Sequence, residues 1–197
     1  MAFVETLTKN FSGWVIFCCC CCVPLLLTSP LPLKGKGVAS TTPHGCKLSK
    51  SHFQPPYIRN VTYTLAKMAK ASDHDTDNRF IGQQLFVNIK ENNRCYMMKR
   101  VMEIVVKDVL AEAKKLYPNA EEVAEFFARL TKEELRSCNS SGHKERIEKN
   151  LGEMKNKMKQ LGDNGKTKAI GELDLLFDYT EDACTDTPKR GGNKKKN

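Results

Sequence analysis

The sequence has few of the residue patterns that support catalysis or metal binding. Its four histidines are scattered over 197 residues and form no HExxH pair, and no serine lies in a GxSxG turn. A phosphate-binding glycine loop is also lacking. A secreted hydrolase is therefore the weaker class of function, and we expect no catalytic residue, no metal site and no cofactor.

Strand patterning is lacking as well. After residue 41 no stretch alternates convincingly between polar and apolar residues, and nothing repeats at the period of a solenoid. Three aspartates, Asp73, Asp75 and Asp77, imitate the start of a calcium loop, but Asn78 and Gln84 stand where that loop needs glycine and glutamate. We therefore interpret 73–77 as a solvated acidic loop.

What the sequence does contain is helical periodicity. Five segments place apolar residues three and four apart, within residues 54–72, 93–117, 120–135, 143–161 and 168–184. The apolar stripes of the first four are Ile58, Val61, Leu65 and Met68; Cys95, Met98, Met102, Val105 and Val109; Val123, Phe126, Phe127 and Leu130; and Ile147, Leu151, Met154 and Met158. These stripes predict an all-α fold of five or six amphipathic helices around one core.

The first 40 residues read as a targeting segment. The run from Trp14 to Leu33 is apolar and broken by prolines, and its first part, which ends at Leu27, is shorter than a spanning helix. We interpret 1–40 as a signal peptide cleaved between about 35 and 40, with a short uncleaved membrane anchor as the alternative. Five consecutive cysteines, 18–22, lie inside this segment and are not expected to bind metal.

The remaining four cysteines indicate a disulfide framework. Cys46, Cys95, Cys138 and Cys184 are each more than 40 residues apart, which excludes the usual zinc knuckle. An even number in a secreted chain predicts two disulfides, and spacing alone leaves three possible pairings open.

The net charge of +9 is unevenly distributed. Residues 188–197 carry five Lys or Arg and no acidic residue, and once this tail and the first 40 residues are set aside the remaining domain is only +2. We therefore expect no nucleic-acid partner for the domain of residues 41–187, and no membrane insertion after signal cleavage. The tail is expected to be disordered, with weak affinity for polyanions such as sulfated glycans.

The last helical segment carries a glycine, Gly171, which costs a helix interior about 1 kcal/mol relative to alanine. On a helical wheel Ile170, Leu173 and Phe177 form the core stripe. The opposite side holds a mixture of polar and apolar residues: Lys168, Gly171, Glu172, Leu175 and Tyr179. That mixture is typical either of an interface or of a face covered by another part of the chain, such as residues 73–86.

Several segments resemble the interleukin-10 family of class II helical cytokines. They are "GCKLSKSHFQPPYIRNVTYTLAK", "TDNRFIGQQLF", "RCYMMKRVMEIVVKDVL", "FFARL" and, most specifically, "LGDNGKTKAIGELDLLF", in the same order from Cys46 to Cys184. The resemblance implies a compact six-helix bundle with disulfides Cys46–Cys138 and Cys95–Cys184. It also implies a secreted protein without enzymatic activity, which brings two receptor chains together and triggers JAK–STAT signalling in epithelial and barrier defence.

The resemblance further implies two receptor-binding surfaces and a possible soluble binding protein. Residues matching the surface for the high-affinity alpha chain are Thr76, Asp77, Arg79, Lys168, Gly171 and Glu172. Residues matching the surface for the interleukin-10 receptor beta chain are Tyr57, Asn60 and Glu122. The chain departs from the family beside the second surface, with Val61 in place of a basic residue and Asn119 in place of a tyrosine, and again in the basic tail.

Two sequons, at Asn60 and Asn139, predict glycosylation, whereas the sequon at Asn10 falls in the signal segment. Two alternatives remain open at this point. One is another cytokine of the same family with a different receptor. The other is a secreted basic protein that acts on microbial membranes or glycans.

Overall fold

The computed structural model describes residues 46–185. The predicted signal peptide, the first residues of the predicted domain and the basic tail lie outside this range. Within it, every regular element is helical and no strand is found, which confirms the all-α prediction.

The described residues contain seven α-helices. Their bounds are α1 Pro56–Lys70, α2 Arg94–Ile104, α3 Ala111–Ala113, α4 Ala120–Arg129, α5 Lys144–Gln160, α6 Gly162–Gly171 and α7 Leu173–Cys184. A π-helical stretch, Val105–Leu110, joins α2 to α3 in one continuous rod, and a second, Leu130–Glu134, extends α4. Short 3-10 turns lie at Lys50–His52, Gln83–Phe86 and Glu91–Asn93.

Local sequence explains where several helices begin and end. Pro56 occupies the first position of α1, where the missing N–H costs nothing, and Lys67 and Lys70 lie in its last turn beside the negative end of the helix dipole. Glu121 and Glu122 similarly lie in the first turn of α4.

The predicted apolar stripes form the core. Those of the second and third segments are almost fully buried, as is Phe177, and the rings of Phe126, Phe127 and Phe177 contact one another. In the fourth segment Met158 is only partly buried. One assignment was wrong: Met68 is 41 % exposed, and α1 buries Ala66 and Ala69 instead. Helix α1 packs against α6.

Two disulfides fasten the ends of the bundle. Cys46 is bonded to Cys138, and Cys95 at the start of α2 is bonded to Cys184 at the end of α7. This confirms the pairing implied by the family resemblance.

The last helical segment differs from the single helix expected. Helix α6 begins at Gly162, six residues before the predicted segment, and it ends at Gly171. The helical geometry is interrupted at Glu172, whose backbone (φ −97°, ψ 13°) leaves the α-helical region. A wheel drawn at a constant 100° per residue therefore fails across this position.

Two glycines of α6 lie where other parts of the chain approach closely. A Cβ on Gly165 would come within 2.1 Å of the Met158 carbonyl oxygen, which is backbone and cannot move aside easily. A Cβ on Gly171 would lie 3.1 Å from Cγ of Lys70 at the end of α1. The close approach of α1 therefore explains the glycine at position 171.

Removing either disulfide should destabilise the fold to a similar extent, because the two bonds close loops of nearly equal length, with separations of 92 and 89 residues. We expect the paired substitutions Cys46→Ser with Cys138→Ser, and Cys95→Ser with Cys184→Ser, each to lower the free energy of unfolding by about 2–5 kcal/mol. Urea unfolding measures this. Peptide mapping under non-reducing conditions that joined Cys46 to Cys95 would contradict the pairing.

Substitutions at the two glycines should differ in their effect on stability, because Gly171 faces a flexible side chain and Gly165 faces a backbone carbonyl group. Gly171→Ala is expected to change the free energy of unfolding by no more than about 1 kcal/mol, since alanine favours the helix and the Lys70 side chain can shift. Gly171→Leu should cost roughly 1–3 kcal/mol through overpacking against α1. Gly165→Ala, the comparison, should destabilise more than Gly171→Ala; equal melting temperatures for these two alanine variants would refute the argument.

Candidate functional site

The loop between α1 and the 3-10 turn at residues 83–86, here called the A–B loop (71–82), is ordered by its own aspartates. Asp73 accepts a hydrogen bond from the Asp75 N–H, and Asp75 accepts from the N–H groups of Asp77 and Asn78. The Asn78 amide also donates to Asp75, at 2.7 Å. These bonds lower the pKa of Asp75 against the opposing effect of desolvation, which is the largest single influence.

Lys168 of α6 is buried beneath this loop, only 6 % exposed. Its Nζ donates to the Asp73 carboxylate at 3.1 Å and to the Asp75 carbonyl oxygen at 2.6 Å. The interpretation of 73–77 as a solvated loop was therefore wrong for Asp73, whose side chain is 12 % exposed and paired with a buried cation. A buried ammonium group needs such partners to offset its desolvation.

Glu172, one helical turn further on, is also 6 % exposed. Its Oε2 accepts the backbone N–H of Phe80 at 2.9 Å and of Ile81 at 2.7 Å. Burial raises the pKa of Glu172, while these two N–H groups and the charges of Lys168 and Arg79 act to lower it.

Gly171 lies between these two side chains under the end of α1. Lys70, which covers it, forms an ion pair with Asp174 at 2.5 Å. The surface formed by Lys168 and Gly171 of α6, and by Glu172 directly after that helix, is therefore covered by α1 and the A–B loop of the same chain. This is one of the two alternatives left open by the sequence.

The six residues matched to the alpha-chain surface thus come together, but in two layers. Thr76, Asp77 and Arg79 are exposed in the A–B loop, and Lys168, Gly171 and Glu172 are buried below it. Within the described residues the Arg79 guanidinium has no hydrogen bond or ion pair, whereas Thr76 donates to Asp77 at 3.3 Å.

A second site lies at the opposite end of α1. The Tyr57 hydroxyl donates to Glu122 of α4 at 2.9 Å, and this bond raises the pKa of Tyr57. Both residues line an open groove of about 560 Å³. Its other lining residues are Ser51, His52, Pro55, Ile58, Glu125, Phe126 and Arg129. Asn60 is exposed one turn further along α1.

The two positions that depart from the family lie in different surroundings. Val61 is 9 % exposed and packs into the core, so it does not reach this groove. Asn119 is exposed and adopts a left-handed conformation (φ 65°) just before α4 begins. The predicted glycosylation sites Asn60 and Asn139 are both exposed, and their modification stays a prediction.

Sequence reasoning missed several residues that build these sites. Lys70, Asp73 and Asp75 form hydrogen bonds with residues about 90–105 positions away. The sequence around them does not indicate which residues these partners are. The only local signal was the Asp-x-Asp spacing, since aspartate side chains accept from backbone N–H groups two residues on.

Among residues 46–185, no group of three potential ligand side chains is arranged to hold a metal ion. In the same range no helix is both long and apolar enough to cross a bilayer.

The chain is similar to known proteins over nearly all of the described residues. Residues 46–184 match the family model described as interleukin 22, IL-10-related T-cell-derived-inducible factor. The chain belongs to the interleukin-22 family. It is similar to interleukin-22 of Homo sapiens, with 41 % identity over 182 residues that cover 92 % of this chain and 99 % of that protein. It is also similar to interleukin-22b of Mus musculus, with 42 % identity over 140 residues that cover 71 % of this chain and 78 % of that protein.

Membership of the interleukin-22 family places the chain among the interleukin-10-type cytokines, which are not enzymes. The match begins and ends at disulfide-bonded cysteines and includes both the A–B loop and the Tyr57–Glu122 groove. The two sites described above therefore lie within the residues that the family model matches.

The raised pKa of Glu172 predicts a specific pH dependence of stability. Because the folded state binds this proton more tightly than the unfolded state, the contribution of Glu172 to the free energy of unfolding falls as pH rises from 4.5 through the raised pKa. Relative to Glu172→Gln, the unsubstituted protein should therefore lose stability over that interval and stay level above it. Urea unfolding from pH 4 to 8 measures the difference, and a difference that grew in the opposite direction would contradict the assignment.

Proposed function

We propose that the protein is a secreted cytokine that joins the interleukin-22 receptor alpha chain to the interleukin-10 receptor beta chain. Their assembly outside the cell would activate Janus kinases and STAT factors inside it, in epithelial and barrier defence. The family membership supports the class of activity, and the two separate exposed sites support the use of two receptor chains.

The observation that carries the proposal is the exposed, unpaired guanidinium of Arg79 on an ordered loop. An arginine in this state can form a bidentate contact with a carboxylate of a partner, which a lysine does not reproduce. Thr76 and Asp77 lie beside it and complete a polar surface for the alpha chain. Lys168, Gly171 and Glu172 belong to the same surface, where they support the A–B loop from below.

The groove at Tyr57 is proposed as the beta-chain site. Tyrosine offers a large contact area with a polar tip, and its bond to Glu122 fixes the ring at the edge of the groove. Tyr57 and Lys70 are 13 residues apart on α1, so the two sites are separated by roughly 20 Å along the helix. This separation lets two receptor chains bind without competing for one surface.

The proposal is tested by two substitutions with matched controls. Arg79→Ala should weaken binding to the alpha-chain ectodomain by about tenfold or more, the loss expected for a charge-assisted contact, and leave the melting temperature nearly unchanged. Tyr57→Ala should leave that affinity intact but reduce STAT phosphorylation in cells bearing both receptor chains. Arg146→Ala and Leu116→Ala, which replace exposed residues outside both sites, should change neither the alpha-chain affinity nor STAT phosphorylation.

Signalling in cells that lack either receptor chain would contradict the proposal. Bactericidal activity that survives deletion of 188–197, without receptor-dependent signalling, would favour the secreted basic protein. Signalling through a different receptor pair would indicate the other cytokine alternative.

A further inference from the structure

Positive charge is concentrated in three segments of the chain. Residues 46–52 and 130–138 together carry four Lys or Arg and two glutamates, and residues 186–197 carry five Lys or Arg and one aspartate. These segments hold a net +6 of the +7 found from residue 41 onward. We propose that they form one binding surface for a sulfated glycosaminoglycan, in which folded residues and the basic tail act together.

Two contacts bring the first two segments side by side. Cys46 is bonded to Cys138, and Nε2 of His52 lies 3.5 Å from Oε2 of Glu134. The contacts join the beginning of one segment to the end of the other. Residues 46–52 and 134–138 therefore run in opposite directions along each other.

The cations of these segments are available to a partner. Lys50 lies between the two contacts on one segment, Arg136 lies between them on the other, and Lys132 is four residues before Arg136. All three are exposed, and their side chains have no hydrogen bond or ion pair within the described residues. We call these three residues the basic cluster.

The basic tail leaves the fold beside this cluster. The Leu48 N–H donates to the carbonyl oxygen of Cys184 at 2.8 Å, so the end of α7 lies against the segment that carries Lys50. Lys189 is four residues after Thr185, the last described residue, and four residues span at most about 14 Å. The first cations of the tail are therefore within reach of the cluster.

A buried lysine adds to the charge at the same place. Lys99 of α2 is 9 % exposed, and its Nζ donates to the carbonyl oxygen of Cys138 at 3.1 Å. Within the described residues it has no carboxylate partner, so its charge is not neutralised locally. Because a buried charge is screened less than an exposed one, Lys99 raises the positive potential of the surface above it.

The chemistry of this surface favours a sulfated chain over other anionic partners. Residues 46–52 and 130–138 contain no Phe, Tyr or Trp on which a nucleic-acid base could stack. Their leucines are buried, so these segments offer no large apolar side chain to a lipid bilayer. What remains is a series of separate cations, which suits a linear polymer with repeated sulfate groups and needs no enclosed pocket.

Binding of the full chain to heparin, a sulfated glycosaminoglycan, tests the inference. The combined variant Lys50→Gln, Lys132→Gln and Arg136→Gln should weaken heparin affinity by about tenfold or more and make its dependence on salt concentration less steep, because fewer counterions are released. Deletion of 188–197 should have an effect of the same kind. The two changes together should weaken binding more than either alone.

A matched control separates the surface from net charge. The variant Arg146→Gln, Lys149→Gln and Lys157→Gln removes the same kinds and number of cations from exposed positions of α5 that have no side-chain bond in the described residues. We expect it to bind heparin nearly as tightly as the unsubstituted protein. Melting temperatures should stay nearly unchanged in both triple variants, since all six side chains are exposed and unpaired.

Four outcomes would overturn the inference. The first is equal binding to heparin and to chemically desulfated heparin, or binding to neither. The second is an unchanged affinity in the cluster variant, which would show that the tail binds alone. The third is an equal loss in the α5 control, which would show attraction by net charge only. The fourth is tighter binding to duplex DNA or to phosphatidylserine vesicles than to heparin, and none of these measurements depends on the proposed receptors.

Discussion

The burial of two opposite charges, Lys168 in the last turn of α6 and Glu172 directly after that helix, is the constraint on which the A–B loop depends. An ammonium and a carboxylate taken out of water must be fully hydrogen-bonded, and here both find their partners in the loop rather than in each other. The route of residues 73–81 is consequently set by α6. Because Ile170, Leu173 and Phe177 of the same region lie in the core, the loop is coupled to the most buried part of the bundle.

Helix α1 connects the two proposed sites. Its first turn supplies Tyr57 to the groove, and its last turn packs Lys70 over Gly171 beneath the A–B loop. Along its length Arg59 binds Asp178 and Glu181 and lies over the Phe177 ring, which fastens α1 to α7. Desolvation and the bond to Asp178 raise the pKa of the neighbouring Tyr63 to about 12, and the Tyr63 hydroxyl donates to Asp178 at 2.5 Å. A helix held at both ends and in the middle keeps the two sites at a constant spacing.

Helical periodicity predicted most of the core, because every segment longer than ten residues had to bury one stripe. The stripes at Cys95–Val109 and Val123–Leu130 could be read directly from the spacing. The site could not be obtained in this way. Thr76, Asp77, Arg79, Tyr57 and Glu122 were identified through the family resemblance, and the burial of Lys168 and Glu172 depends on partners 91–95 residues distant. The wheel also assumed a straight helix through Glu172, where the backbone breaks.

Exposure without a partner does not by itself single out Arg79, since Arg146 has the same property within the described residues. What distinguishes Arg79 is the backbone on either side of it. Its carbonyl oxygen accepts from Gln84, and the next two N–H groups are held by Glu172. Association requires that mobile groups be ordered, and that cost falls when the main chain is already fixed. Only the side-chain rotamers of Arg79 remain to be ordered on binding. An unpaired arginine on an ordered loop is therefore expected to bind a partner more tightly than the same arginine on a mobile loop.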